Sequence, residues 1–159
     1  MAAHPRVGVA ALVMNEEGKL LVGKRKGSHG SGTWQLPGGH LEHSEDWATT
    51  AMRELEEEAG LAISKEDFTF VSVTNDVFES ESKHYITIFM AARAKKGSKP
   101  VVKEPHKCEC WEWRYPHDIP KPWFLPLEHF ISGLGFPPAS PSSANHVETL
   151  ALLRQSLQN

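Results

Sequence analysis

Three glutamates, Glu54, Glu57 and Glu58, stand three and four residues apart in the chain. On a helix that turns about 100° per residue they share one face. Carboxylates so placed repel, and the Glu54/Glu58 pair at i,i+4 costs an isolated helix roughly a few tenths of a kcal/mol. A divalent cation reverses that sign. Hard cations such as Mg²⁺ take oxygen ligands and are commonly held by a few carboxylates together with phosphate oxygens and water. The face therefore has the donors for a metal that works on phosphate. It also makes sense as a solvated acidic surface on which Arg53 pairs with Glu57, and the helix alone does not separate the two readings.

The helix itself is clearly marked. Ser44 has the right chemistry for its N-cap, Glu45 and Asp46 sit where the helix dipole favours negative charge, and Gly60 falls at the C′ position. Trp47, Ala48, Ala51, Met52, Leu55 and Ala59 recur at three- and four-residue intervals and form its buried stripe. Upstream, Val7 to Met14 and Leu20 to Val22 flank the turn sequence Asn15-Glu-Glu-Gly18 and read as a hairpin. A glycine- and serine-rich loop follows, then the short piece Trp34 to Leu36, which ends in a sharp turn at Pro37-Gly-Gly39. Phe68 to Val77, Tyr85 to Ala92 and Cys108 to Tyr115 read as strands, and Trp123 to Leu134 as a second helix with Pro126 in its first turn. Trp111 and Trp113 fall on one strand face, as core rather than as stacking surfaces. Strands flanked by helices without regular βαβ alternation imply an α+β fold, an α/β/α sandwich with a mixed β-sheet between helices. Gly135 to Ala144, rich in Pro and Ser, reads as a linker and Val147 to Leu157 as a short helix, so residues 1–136 form the domain and 137–159 a linker with a short terminal helix.

Composition excludes much else. With 159 residues, 40% hydrophobic and 23% charged, the chain suits one globular domain with a real core. A net charge of -3 without a dense basic block gives no sign of a nucleic-acid polymer as partner. The run Lys24-Arg25-Lys26 is either a solvated strand end or a contact to phosphate. No apolar run is long enough to span a bilayer and Met1 to Pro5 lacks a signal-like core, so a cytoplasmic location without membrane contact is expected. Cys108 and Cys110 are expected to project from opposite faces of a strand, and hence not to bridge.

The full spacing around the acidic helix is more telling than the helix: Gly39, five residues, Glu45, seven residues, then Arg53-Glu-Leu-Glu-Glu-Glu-Ala-Gly-Leu61. It resembles the Nudix box, Gx5Ex7REUxEExGU with U a bulky apolar residue, at every defined position. The resemblance implies that Glu54, Glu57 and Glu58 hold Mg²⁺, with Mn²⁺ as a substitute, that the Gly38 carbonyl adds a ligand, and that Arg53 orients the carboxylates. Gly39, Glu45 and Gly60 would be structural: close approach, loop support and helix closure.

Lys24 to Ser28, Trp34 to Glu42, His84 to Met90 and Glu104 to Trp113 are further similar to the nucleoside-triphosphate diphosphatase branch of that family, which includes the thiopurine-nucleotide hydrolase. Coverage runs from about Val7 to Phe136. By that similarity Arg25 approaches phosphate, Gln35, Leu36, His40 and Thr87 line a pocket, Phe124, Leu125 and Leu127 form its apolar wall, and the assembly is a homodimer. Leu36, Phe124 and Leu127 suit a core equally well, and His40 could be a solvated loop residue. One departure stands out: His106 occupies a place where the branch usually has glutamate, so a further metal ligand could be Glu104 or Glu109.

The reaction so implied is attack of water on a phosphorus of a nucleoside di- or triphosphate, releasing the monophosphate, with Glu54 as the base. Rival readings are a hydrolase of another diphosphate (a dinucleotide, nucleotide sugar or isoprenoid diphosphate) and a catalytically inactive nucleotide sensor, against which the intact acidic set speaks. A structural module whose terminal helix binds a partner is a further rival.

Overall fold

The computed structural model describes residues 3–27 and 29–133. The second helix's expected end at Leu134, the linker, the terminal helix and the 136/137 boundary lie outside these residues.

Seven strands form one mixed sheet: β1 (Arg6–Met14), β2 (Leu20–Arg25), β3 (Trp34–Gln35), β4 (Gly38–His40), β5 (Thr69–Phe78), β6 (Lys83–Arg93) and β7 (Cys108–Arg114). The spatial order is β3-β2-β1-β6-β5, with β4 also on β1 and β7 also on β2. β1 and β6 run parallel from Arg6↔Tyr85 to Met14↔Arg93, and the other pairs are antiparallel. The β1–β2 turn forms as expected: the Asn15 side chain accepts from the Glu17 and Lys19 amides at 3.0 and 2.9 Å, and Gly18 takes φ 79°. β1 touches β2 only through Met14↔Leu20, then takes β4 on that edge, with Ala10 opposite Gly38. Pro37-Gly-Gly39, expected as a sharp turn, thus continues as a short strand.

Alternation along the strands builds two cores. Val9, Ala11 and Val13 of β1 and Ile88 and Met90 of β6 pack against Ala51, Leu55 and Ala59 of helix α1 (Trp47–Ala59). On the other face Leu12, Val22 and Phe89 pack against Leu127, Phe130 and Ile131 of helix α2 (Leu125–Ile131). The sheet therefore lies between two helices, as the pattern implies.

Two expectations change, and a third holds for a different reason. Asp46, not Ser44, caps α1, its side chain accepting from the Thr49 amide at 2.7 Å; Ser44 has φ 68°, a turn conformation that cannot cap. Trp47 leaves the buried stripe: as the helix's first residue it is 44% exposed and lies against Phe70, with ring centres 5.6 Å apart. Cys108 and Cys110 do fall into different cores and are both free thiols, though not through simple alternation, which puts residues two apart on one face. A register shift opposite Gly23 and Arg25 separates them. Trp111 is buried and Trp113 half-buried in the α1-side core.

Candidate active site

α1 ends in a left-handed Gly60, φ 66°, whose N–H donates to the Glu56 carbonyl at 3.0 Å. Against its flank, β4 brings a glycine pair. The Gly38 N–H donates to Oε1 of Glu58 at 2.9 Å, and a Cβ on Gly39 would collide with the Glu54 carboxylate. Glycine at 39 thus leaves the Glu54 carboxylate its place beside the strand, while a Cβ on Gly38 would run into the β1 backbone at Val9. Glu58 is buried at 7% exposure, and its backbone carbonyl accepts from the Trp111 indole at 3.0 Å. Burial pushes its carboxyl up to about 8, with Gly38 opposing and Glu54 and Glu104 adding to the shift. Burial likewise raises Glu54, against the pull of Arg53.

Arg53 ties the helix to the preceding loop. Its Nε and Nη2 donate to the two oxygens of Glu45 at 2.7 and 2.9 Å, Nη2 also reaches the His40 carbonyl at 3.2 Å, and Nη1 reaches Glu54 at 2.9 Å. Its contact to Glu57 is longer, 3.4 Å, so the main partner is Glu45 rather than the i+4 glutamate. Glu45 in turn accepts from the Thr50 hydroxyl at 2.8 Å and the Glu42 amide at 3.2 Å. The Arg53 guanidinium holds Glu45 down at about 2, and Arg53 is itself raised by that pairing.

Beside this acidic flank opens a cleft of about 520 Å³. Glu54, Glu58 and Glu104 line it together with Arg25, Gln35, Leu36, Gly38, Gly39, His40, Thr87, Phe124 and Leu127. Arg25 lies 4.1 Å over the Phe124 ring, donates from Nε to the His29 carbonyl at 2.9 Å and binds Gln35 through Nη1. Its partly desolvated guanidinium is lowered by burial. Glu104 pairs with Lys107 at 2.9 Å. Glu109 is not in the cleft; it faces solvent and meets Lys24 at 3.5 Å, so Glu104 is the loop carboxylate that the fold delivers. Glu57 is exposed, outside the cleft lining. Leu125 is not in the lining either, because Pro126 and Leu127 take the inward positions of that turn. Among the described residues no three His, Cys, Asp or Glu side chains stand close enough to chelate an ion as they are.

The chain matches the model of the NUDIX domain over residues 4–133. It belongs to the Nudix family. The crystal structure of a MutT NUDIX hydrolase from Burkholderia pseudomallei superposes with a TM-score of 0.70 at 32% identity, over 77% of this chain and 92% of that one. A MutT-like protein of Streptomyces ambofaciens is 42% identical over 65 residues, 41% of this chain and 40% of its own. An RNA pyrophosphohydrolase of Pelagibacter ubique is 41% identical over 56 residues, 35% of each chain. The Nudix chain thus spans well under half the length of these two curated relatives.

Three cleft residues of this Nudix domain, His29, Phe78 and Tyr85, escape sequence reasoning. With Phe124, expected in the apolar wall, they form an aromatic wall: His29 meets Phe78 and Phe124 at 4.7 and 5.3 Å between ring centres, and Phe78 meets Phe124 at 5.4 Å. Tyr85 stacks on His40 at 5.6 Å and shares a 3.0 Å hydrogen bond with its Nε2, so His40 is fixed rather than loose. His29 also pairs with Glu81. A histidine in a glycine-rich loop carries no signal of its own; only the folded loop seats it among aromatics. Lys26 also reaches the cleft, whereas Lys24 does not.

Proposed function

We propose that this protein is a Mg²⁺-dependent pyrophosphohydrolase, with Mn²⁺ as a substitute, that cleaves nucleoside di- or triphosphates to the monophosphate. One observation carries the reading: a single cleft is lined by acidic Glu54, Glu58 and Glu104, basic Arg25, Lys26 and Lys107, and the aromatic wall. Carboxylates suit a cation, the basic groups suit phosphate, and flat rings suit a base. The branch similarity from Lys24 to Trp113 favours modified purine nucleotides among the substrates.

The donor set fits a hard cation by its chemistry. It is all oxygen: buried Glu58, half-buried Glu54 and Glu104 line one cleft, and the carboxyls of Glu58 and Glu54 are raised chiefly by burial, with Glu104's like charge adding to both. Glu54, Glu57 and Glu58 would hold the ion, with the Gly38 carbonyl and Glu104 as further donors. When bound it would neutralise phosphate oxygens and acidify the attacking water. Arg53, fixed by Glu45, holds Glu54 in place. Glu54, raised by burial, accepts the water's proton as the water oxygen bonds to phosphorus and the bridging P–O bond breaks. Arg25 steadies the phosphate, while Gln35, Leu36, His40, Thr87 and Phe124 seat the nucleoside.

The protein is further proposed to act as a cytoplasmic homodimer on small-molecule nucleotides, in nucleotide metabolism. The second reading keeps the site and changes the substrate to a dinucleotide, a nucleotide sugar or an isoprenoid diphosphate, whose diphosphate the same acidic and basic lining suits. A panel of nucleotides, dinucleotides and nucleotide sugars, with products followed by phosphorus NMR, decides between them. Glu58→Gln keeps side-chain volume and removes a charged oxygen, so Mg²⁺-dependent product release should fall at least about 10²-fold while the melting temperature stays near that of the parent. Parental rates in this variant would sink the metal assignment.

A further inference from the structure

Behind the cleft lies a buried polar cluster of which the proposed function uses only Thr87. Asp76 on β5 is wholly buried at 0% exposure and does not line the cleft. Its Oδ2 receives the Thr74 hydroxyl at 2.8 Å and the Thr87 hydroxyl at 2.6 Å, and its Oδ1 meets Nδ1 of His129, on α2, at 2.8 Å. Thr74 and Thr87 are direct register partners on β5 and β6, so sheet pairing delivers both hydroxyls to one oxygen. Thr87 is the member of the cluster that reaches the cleft wall, opposite Gly8 of β1. A side chain at Gly8 would lie in contact with the Thr87 hydroxyl, 3.9 Å away; glycine leaves it uncovered.

A carboxylate accepts hydrogen bonds and cannot donate them, whereas a hydroxyl has one proton and two lone pairs. With its proton committed to Asp76, Thr87 can offer the cleft only an acceptor. His129 and Thr74 occupy the carboxylate from its other sides and hold that polarity. We infer that Asp76 is a specificity-determining positioning residue: through Thr87 it makes the cleft select nucleobases that present an N–H donor. This rests on the nucleotide reading above. The selection is sharp because a buried acceptor left facing another acceptor loses its hydrogen bond and is not rehydrated.

The test is calorimetric binding, without metal or turnover, of three nucleotides: purine riboside 5′-monophosphate, which has no base N–H, and its 6-amino and 2-amino derivatives. The parent protein should bind at least one amino derivative roughly 3- to 10-fold tighter than the unsubstituted nucleotide. Asp76→Asn, whose amide nitrogen can donate to Thr87 and free its proton towards the cleft, should bring that ratio within about twofold of unity or invert it. Thr87→Ser should keep the preference and Thr87→Val should lose it, which supplies a readout if Asp76→Asn folds poorly. Equal binding of all three nucleotides by the parent, or a preference that survives in Thr87→Val, overturns the inference while leaving nucleotide binding in place. No binding of any of them overturns the nucleotide reading as well.

Discussion

The Arg53–Glu45 pair shows how a single contact can organise a site it does not enter. Glu45 takes four donors, two from Arg53 and one each from Thr50 and Glu42, and the guanidinium it fixes goes on to Glu54. Its carboxyl is held at about 2, below the ordinary value of 4.5. A carboxyl depressed by folding adds stability that is complete above its unfolded pKa and is lost as pH falls through the folded one. The urea midpoint of Glu45→Gln should therefore lie below that of the parent at neutral pH. The gap should close as pH is lowered from 4.5 towards about 2, where the parent's own carboxyl becomes neutral. A gap that stays constant over that range would show that hydrogen-bond shape, not charge, holds the loop.

At the scale of elements, α1 stands on its ends. Asp46→Ala removes the observed cap and should cost about 1 kcal/mol, seen as a fall in melting temperature of roughly 2–4 °C, while Ser44→Ala should do less. The reverse order would return the cap to Ser44. The helix, the hairpin turn and the long strands are legible in the sequence because each has a local cause: three- and four-residue apolar spacing, Asn15 folding onto its own turn, β-branched runs. The acidic face is legible for the same reason, since one helix carries it. What lies outside local reach is not. β4 is two glycines and a histidine, and only pairing with β1 makes it a strand. The choice between Glu104 and Glu109 turns on which way a loop and strand face, and the seat of His29 turns on Phe78 and Phe124, which are distant in sequence. Asp76 and His129 meet from a strand and a helix, across a gap no motif spans.

For the molecule as a whole, association is the testable question. Light scattering at micromolar concentration should report about 35 kDa, twice the 17.7 kDa chain, if a two-fold interface of standard size forms. A steady particle of one chain's mass would remove the dimer and leave the cleft intact, because every lining residue comes from one chain. The central parallel ladder has a different kind of consequence. Arg6 finds its partner only when Tyr85 exists, and the aromatic wall waits for Phe124. A chain made from its N-terminus at about 5–20 residues per second thus carries a complete acidic helix for several seconds before there is a cavity to hold a nucleotide. Such late closure confines the hydrolytic apparatus to finished copies: an interrupted translation product ending after the helix would have the carboxylates and nowhere to place a substrate.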